Sequence, residues 1–322
     1  MKAVWILSFL SLAVILSGCD VIEDIIADET ARTITLRQDL LNQTTERAAR
    51  GVDLAGNVVV SSGQSGSLAP VSVGDLADAI DVATDGMGPV QFFLVASVSN
   101  RSSSAVTITF SMYPENDSSA QAEIVSFSLG AYQAAGFDTA VLSNASTTQI
   151  HQNLKSVFDL VDENYTVVPV VTVQGGDANG VLINQYRIWT PPTYLRRDTL
   201  AGDSLPGAVE IDRVYDTELQ GAITNEGSAQ TLVRIYLTEA GADQEAVDAG
   251  LVAETILSPG QTILGQDMVL EGAEDKVSDA FDNFADGADV YYSLVMMSTN
   301  QINVSSDDLQ LYAKVDVHAD IF

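Results

Sequence analysis

Residues 98–112 read VSNRSSSAVTITFSM, and residues 223–237 read ITNEGSAQTLVRIYL. In both places a short entry, Val98-Ser99-Asn100 or Ile223-Thr224-Asn225, passes through a polar turn into alternating apolar and polar residues. That alternation runs from Val106 to Met112 in one stretch and from Thr231 to Leu237 in the other. A period of two is the pattern of a strand that buries one face. The spacing from entry to strand is the same in both.

The likeness continues outward. Val125-Ser126-Phe127-Ser128-Leu129-Gly130 corresponds to Thr255-Ile256-Leu257-Ser258-Pro259-Gly260, a strand that ends in a turn. A short amphipathic helix follows in each copy, carried by Leu154, Val157, Phe158 and Val161 in the first and by Val277, Phe281 and Phe284 in the second. Val167 to Val173 then aligns with Val290 to Met296, and closing strands run over Val181 to Trp189 and Leu309 to Val317. Units of about 100 residues are sandwich-sized, too long for a solenoid repeat. Consecutive strands without intervening helices pair antiparallel.

The expected fold is therefore mainly β, with two tandem antiparallel β-sandwich domains, each with one short helix. Their architecture is broadly similar to immunoglobulin-like or fibronectin-like modules, which carries no function with it. The sandwiches are expected over residues 90–195 and 208–322, joined by a linker over 196–207. Pro191, Pro192 and Pro206 stiffen this junction, and Arg196-Arg197 is the only adjacent basic pair in the chain.

Residues 19–89 read as a partly helical stalk. Val21, Ile22, Ile25 and Ile26 with Leu36, Leu40 and Leu41 form a partial helical stripe, which the alternation Thr33-Ile34-Thr35-Leu36 opposes. The Gly/Ser run 61–67 reads as a linker or loop, and a short helix is expected over Asp75 to Ala83 with Asp75 as its cap.

Residues 1–18 read as a signal peptide. Lys2 precedes an apolar stretch from Val4 to Leu16, shorter than the about 20 residues a membrane span takes. Leu16-Ser17-Gly18-Cys19 resembles the lipobox of bacterial lipoproteins, and Cys19 is the chain's single cysteine. The resemblance implies cleavage before Cys19, a diacylglycerol thioether on its sulfur and an acylated amino group, so that the membrane is a partner through lipid. Two or more acyl chains anchor stably where one is marginal. The implied location is the bacterial cell envelope, facing the periplasm. Asp20 resembles the residue that retains such proteins in the inner membrane of enteric bacteria.

A net charge of −30, from 44 acidic and 14 basic residues, excludes nucleic acid as a natural partner, because binding it takes lysine and arginine. Only two histidines exist, His151 and His318, and no zinc signature, Walker loop or dinucleotide fingerprint is present. The expectation is a protein that is not an enzyme and needs no cofactor, with a binding or structural role toward an envelope protein or glycan. A glycan hydrolase using two of the many carboxylates, or an accessory subunit of an envelope complex, is the alternative.

Two sets of candidate site residues emerge. Asp279, Asp282, Asp286 and Asp289 cluster around Gly287, and Asp177 opens the turn Asp177-Ala178-Asn179-Gly180. Oxygen ligands of this kind suit Ca2+, although Phe284 breaks the EF-hand pattern, and solvated turns are their commoner role. Tyr186, Trp189 and Tyr194 are the candidate ligand-contact aromatics. A spacing of three puts Tyr186 and Trp189 on opposite faces of a regular strand, so at least one belongs to the core.

Overall fold

A computed structural model describes residues 32–131, 134–138, 145–200, 209–285 and 289–319. The chain enters as β1 (Arg32–Leu41), β2 (Thr45–Ala48), β3 (Arg50–Ala55), β4 (Val58–Val60), β5 (Ser65–Ser67) and β6 (Val71–Ser72), then forms helix α1 (Ala77–Thr84). The first repeat follows as β7 (Phe93–Asn100), β8 (Val106–Pro114), β9 (Ala122–Leu129), β10 (Ala134–Asp138), α2 (Ala145–Phe158), β11 (Thr166–Gly175) and β12 (Val181–Thr190). After β13 (Thr193–Thr199) comes the second, as β14 (Val209–Asn225), β15 (Thr231–Glu239), α3 (Gln244–Ala249), β16 (Leu251–Leu257), β17 (Thr262–Leu264), α4 (Ala273–Ala285), β18 (Val290–Ser298) and β19 (Gln301–Ala319).

Two antiparallel sandwiches result, with the same strand order. In the first, sheet β10-β7-β12-β3 faces sheet β5-β11-β8-β9; in the second, β17-β14-β19-β1 faces β16-β15-β18-β13. Alternation does what it predicts. Leu94, Ala96 and Val98 of β7 point inward against Val106, Ile108 and Phe110 of β8, and Val233 and Ile235 of β15 meet Leu294 and Met296 of β18 in the second core. Register fixes the correspondence between repeats: Val106 pairs with Leu129 and Gly175, and Thr231 pairs with Leu257 and Ser298.

Both hairpins are held by the same device. Asn100 is buried, its Nδ2 donates to the carbonyls of Ser104 (2.9 Å) and Gly130 (2.7 Å), and its Oδ1 accepts from Ser102 N (2.9 Å). Asn225 repeats it with Ala229 O (2.8 Å), Leu257 O (3.0 Å) and Gly227 N (2.9 Å). An amide offers the two donors and one acceptor that this turn leaves unmet.

From residue 32 onward, the segment expected as a stalk is instead structural. β1 pairs with β19 from Arg32↔Val317 to Leu41↔Leu309, and β2 pairs with the start of β19, so residues 32–48 complete the second sandwich. Residues 50–72 then supply edge strands to the first, β3 and β4 against β12 and β5 and β6 against β11. The Gly/Ser run contributes β5 and is not a linker. Nor is 196–207 wholly one, because β13 pairs with β18 through Thr199. The first sandwich is thus inserted between β2 and β13 of the second. Tertiary pairing overrides the described part of the helical stripe, residues 32–41: once β19 offers a partner edge, branched Thr33-Ile34-Thr35 favours the strand; Val21, Ile22, Ile25 and Ile26 lie outside the described residues. The helix near Asp75 exists as α1, but Asp75 lies in the preceding 3-10 turn and does not cap it.

Helix α1 fastens the two sandwiches together. Its Asp78, Asp81 and Asp85 meet Arg47 (3.7 Å), the Tyr165 hydroxyl (2.5 Å) and Arg197 (2.6 Å), partners drawn from both sandwiches. Burial pushes the carboxyls of Asp78 and Asp81 up, while Arg47 and Tyr165 respectively pull them down. Below the helix, the Tyr236 hydroxyl donates to Met87 O, and Tyr236, Val247 and Val295 of the second unit join the apolar core of the first. The apolar core of the first sandwich thus continues across the junction into the second.

Candidate functional site

Two concave features stand out. The larger, about 420 Å³, opens between α3 and α4 at the end of β15. Asp243 caps α3 by accepting from Ala246 N (2.9 Å), and Gly250 closes it where a Cβ would collide with the Leu237 carbonyl oxygen. That close approach brings α3 down onto β15. The floor is made of small residues, Ala240-Gly241-Ala242, Ala246 and Ala249 of α3, and Ala280 of α4. Around it stand Glu239, Lys276, Asp279 and Asn283. Lys276, Asp279, Ala280 and Asn283 share one helical face by their spacing of three and four. Asn283 Nδ2 donates to Glu239 Oε1 (2.9 Å), and Lys276 Nζ to Leu251 O (3.0 Å). Thr238 also lines the groove; the residue is 5% exposed, and its hydroxyl has no hydrogen-bond partner among the described residues. The first repeat has no equivalent of α3 among its described residues, only a 3-10 turn between β8 and β9.

The second feature, about 290 Å³, is a cleft at the junction of the sandwiches, and none of its lining residues is charged. Pro191, Pro192, Leu232, Met297 and the exposed Ile256 form its walls, with Gln91 and Gln230 at its mouth. His151 packs against Phe92, the residue after Gln91. The ring stacks on Phe92 at 5.8 Å between centroids, and Nδ1 accepts from Phe92 N at 3.1 Å. Burial, with Lys155 one turn away, lowers the imidazole pKa below its ordinary 6.5. The folded state therefore binds fewer protons than the unfolded one just below that value. The stability contributed is complete above pH 6.5 and is lost as pH falls from there toward the folded pKa. In urea titrations over this range His151→Asn, whose Oδ1 still accepts from Phe92 N, is expected to flatten the slope that wild type shows; an equal slope would contradict this.

The sequence-predicted residues do not converge. Tyr186 is fully buried in the first core, 4.3 Å from Phe110 between centroids, and Tyr194 is buried in the second beneath Arg47, at 5.2 Å. Both are removed from any surface. Trp189 lies on the opposite sheet face, stacked on Phe93 at 4.5 Å, so the three form no common binding face. A register irregularity between Ile183 and Gln185 sets this phase, and the expected opposition of Tyr186 and Trp189 holds.

The acidic residues are likewise dispersed. Asp177 Oδ2 accepts from Ser103 N (2.8 Å) and Oγ (2.7 Å), and Oδ1 from Asn179 N (2.9 Å). These bonds, the Ser103 hydroxyl foremost, hold its pKa down to about 2. Its carboxylate serves as a turn cap. Asp279 and Asp282 lie on α4, not in a loop, and Asp289 is exposed just before β18. Asp286 lies outside the described residues, as does Cys19. Among the described residues no group of three or more histidines, cysteines or carboxylates stands ready to hold a metal.

Sheet order and site together define a class: a double β-sandwich in which one module is inserted into the other, with a polar groove on the second beside a helix, α3, that has no counterpart among the described residues of the first. No protein-family model and no curated protein matches the chain. Similar solved structures include a candidate secreted protein from Parabacteroides distasonis ATCC 8503, 10% identical, covering 87% of this chain and 99% of that one at a TM-score of 0.34. A peptide-N(4)-(N-acetyl-β-D-glucosaminyl)asparagine amidase is 8% identical, with 88% and 96% covered and a TM-score of 0.27. The tandem CBM22-1–CBM22-2 domains of Paenibacillus barcinonensis Xyn10C are 9% identical, with 87% and 96% covered and a TM-score of 0.20. At these scores the likeness carries no functional argument.

Proposed function

We propose that this chain is a lipid-anchored protein of a bacterial cell envelope whose fused sandwiches present a binding surface close to the bilayer, without catalysis. The observation that carries the reading is the position of Cys19, in its lipobox-like setting, with only twelve residues between it and the start of β1. A segment of that length reaches at most about 43 Å. With the expected stalk absorbed into the sheets, the sandwiches stand near the membrane, and the second is the nearer. The α3–α4 groove opens at the same end of that sandwich. β14 leads into β15 by a short turn, so the far ends of β15 and β18, where Glu239 pairs with Val290, point toward the same end of the sandwich as the start of β1.

A glycan hydrolase is the second reading, favoured by the presence of Glu239 and Asp279 in one groove of one repeat. Against it, both carboxylates are exposed, whereas a general acid of this kind is set up by burial or a close like charge.

Membrane fractionation with mass spectrometry of the N-terminal peptide tests the anchor. Wild type is expected in the membrane fraction with a lipid mass on Cys19, and Cys19→Ala in the soluble one. A Cys19→Ala protein that stays membrane-bound would remove the lipid from the account.

A further inference from the structure

We infer that the groove between α3 and α4 is a binding site for an uncharged cyclic polyol, such as a single sugar ring; the inference deepens the binding role proposed above and rests on it. The argument begins with volume. About 420 Å³ falls within the range of small-molecule sites, roughly 300–1,000 Å³. The alanine and glycine floor, flanked by Leu237 and Val290, leaves room for a flat ring to lie close to the backbone.

The rim then selects the ligand's chemistry. Asp279 and the second oxygen of Glu239 accept; Lys276 keeps two N–H donors beyond the one given to Leu251 O; beneath them Thr238 carries a buried hydroxyl able to do either. Acceptors and donors thus alternate over a short distance. A hydroxyl is both donor and acceptor, and a ring bearing several presents the matching alternation. An anion fits worse, because it meets two carboxylates on a protein of net charge −30. A metal ion lacks a ligand set among the described residues.

Thr238 supplies an independent indication. A buried hydroxyl left unpaired is unfavourable, and such a group calls for a partner that the protein itself does not provide. Here the unpaired hydroxyl belongs to a residue lining the groove that has the free polar groups.

The test uses the full chain in detergent, with glucose, galactose, N-acetylglucosamine and myo-inositol as probes. Binding is read by saturation-transfer NMR and titration calorimetry. Vesicles carrying a glucosyl-diacylglycerol, run beside free glucose, separate a lipid headgroup from a soluble sugar as the source of the ring. At least one probe is expected to bind. Asp279→Asn should weaken it about tenfold, the effect of losing one charge-assisted hydrogen bond. Ala249→Trp should abolish binding by filling the groove. Both positions are exposed, so the melting temperatures of the two variants should match wild type. Absence of saturation transfer from all four probes and of binding to the glycolipid vesicles would overturn the proposal, as would binding of equal strength in both variants. Membrane fractionation of the same proteins reads the anchor separately, so loss of one result leaves the other standing.

Discussion

Replacing Asn225 with Ala is expected to lower the stability of the protein by about 3–4 kcal/mol, and Asn100→Ala by a similar amount. Each side chain makes three hydrogen bonds of 2.7–3.0 Å to backbone groups of its own hairpin and the neighbouring strand. Three such bonds contribute about 1 kcal/mol each, and alanine strands their buried partners without filling the space. Asn225 is completely buried and Asn100 nearly so, so water cannot readily take over the orphaned carbonyls. The measurement is the urea midpoint of each variant at unchanged m-value. Asp in place of Asn is the sharper control: it keeps the acceptor, loses both donors and adds a buried charge, and should cost at least as much as alanine. Two near-equal losses would mean that both repeats rely on one device. A loss confined to one hairpin would make the shared geometry incidental.

The sequence shows the strands but not all of their partners. Alternation is local, so β7, β8, β11 and their counterparts β14, β15, β18 can be read from a few residues, and both asparagines stand in the stretches that reveal the repeat. Their role cannot be read there, because a buried asparagine and a turn asparagine look alike until the hairpin closes over one of them. Alignment fails where phase is ambiguous. Leu129 corresponds by register to Leu257 rather than to Pro259, a slip of two that an alternating pattern cannot detect. Val181 corresponds to Val304, not Leu309. Here an irregularity near Asp307 and Asp308 switches parity within β19, burying Ile302 and Val304 before it and Leu309 and Leu311 after it. Either set reads as the closing strand.

The groove is less legible still. Asp279 draws attention as part of an acidic cluster, yet its neighbours in space are set by helical spacing, with Lys276 and Asn283 on the same face. Glu239 arrives from another strand. A spacing argument over 276–283 could have found the helical half, but nothing in the sequence announces that α3 folds down beside it.

Replacing Leu40 and Leu41 together with Ala is expected to unfold the second sandwich at ordinary temperature, the largest effect anticipated for so small a change. Both side chains are fully buried in its core, although they are consecutive, because the register shifts between Asp39 and Leu41 and both turn inward. Each deletion of a buried leucine side chain costs about 2–5 kcal/mol. Adjacent sites do not add strictly, but the pair approaches the whole stability of an ordinary domain, about 5–15 kcal/mol. The same few residues receive bonds from elements far along the chain: Arg196 donates to Leu40 O (3.1 Å), Tyr292 to Asp39 O (3.2 Å) and Ser306 to Leu41 O. Loosening β1 therefore loosens β13, β18 and β19 with it. Hydrogen exchange should show protection lost first in β14 and β19 and retained in β7, β8 and β12, whose apolar core is separate apart from the contacts under α1. A flexible stalk would respond otherwise. Its leucines could be cut back without moving the melting temperature, and an unchanged melt for the double variant would restore that description of residues 32–48. Loss of the second sandwich alone, with the first still folded, would establish that the first sandwich, although inserted in the chain of the second, folds without it.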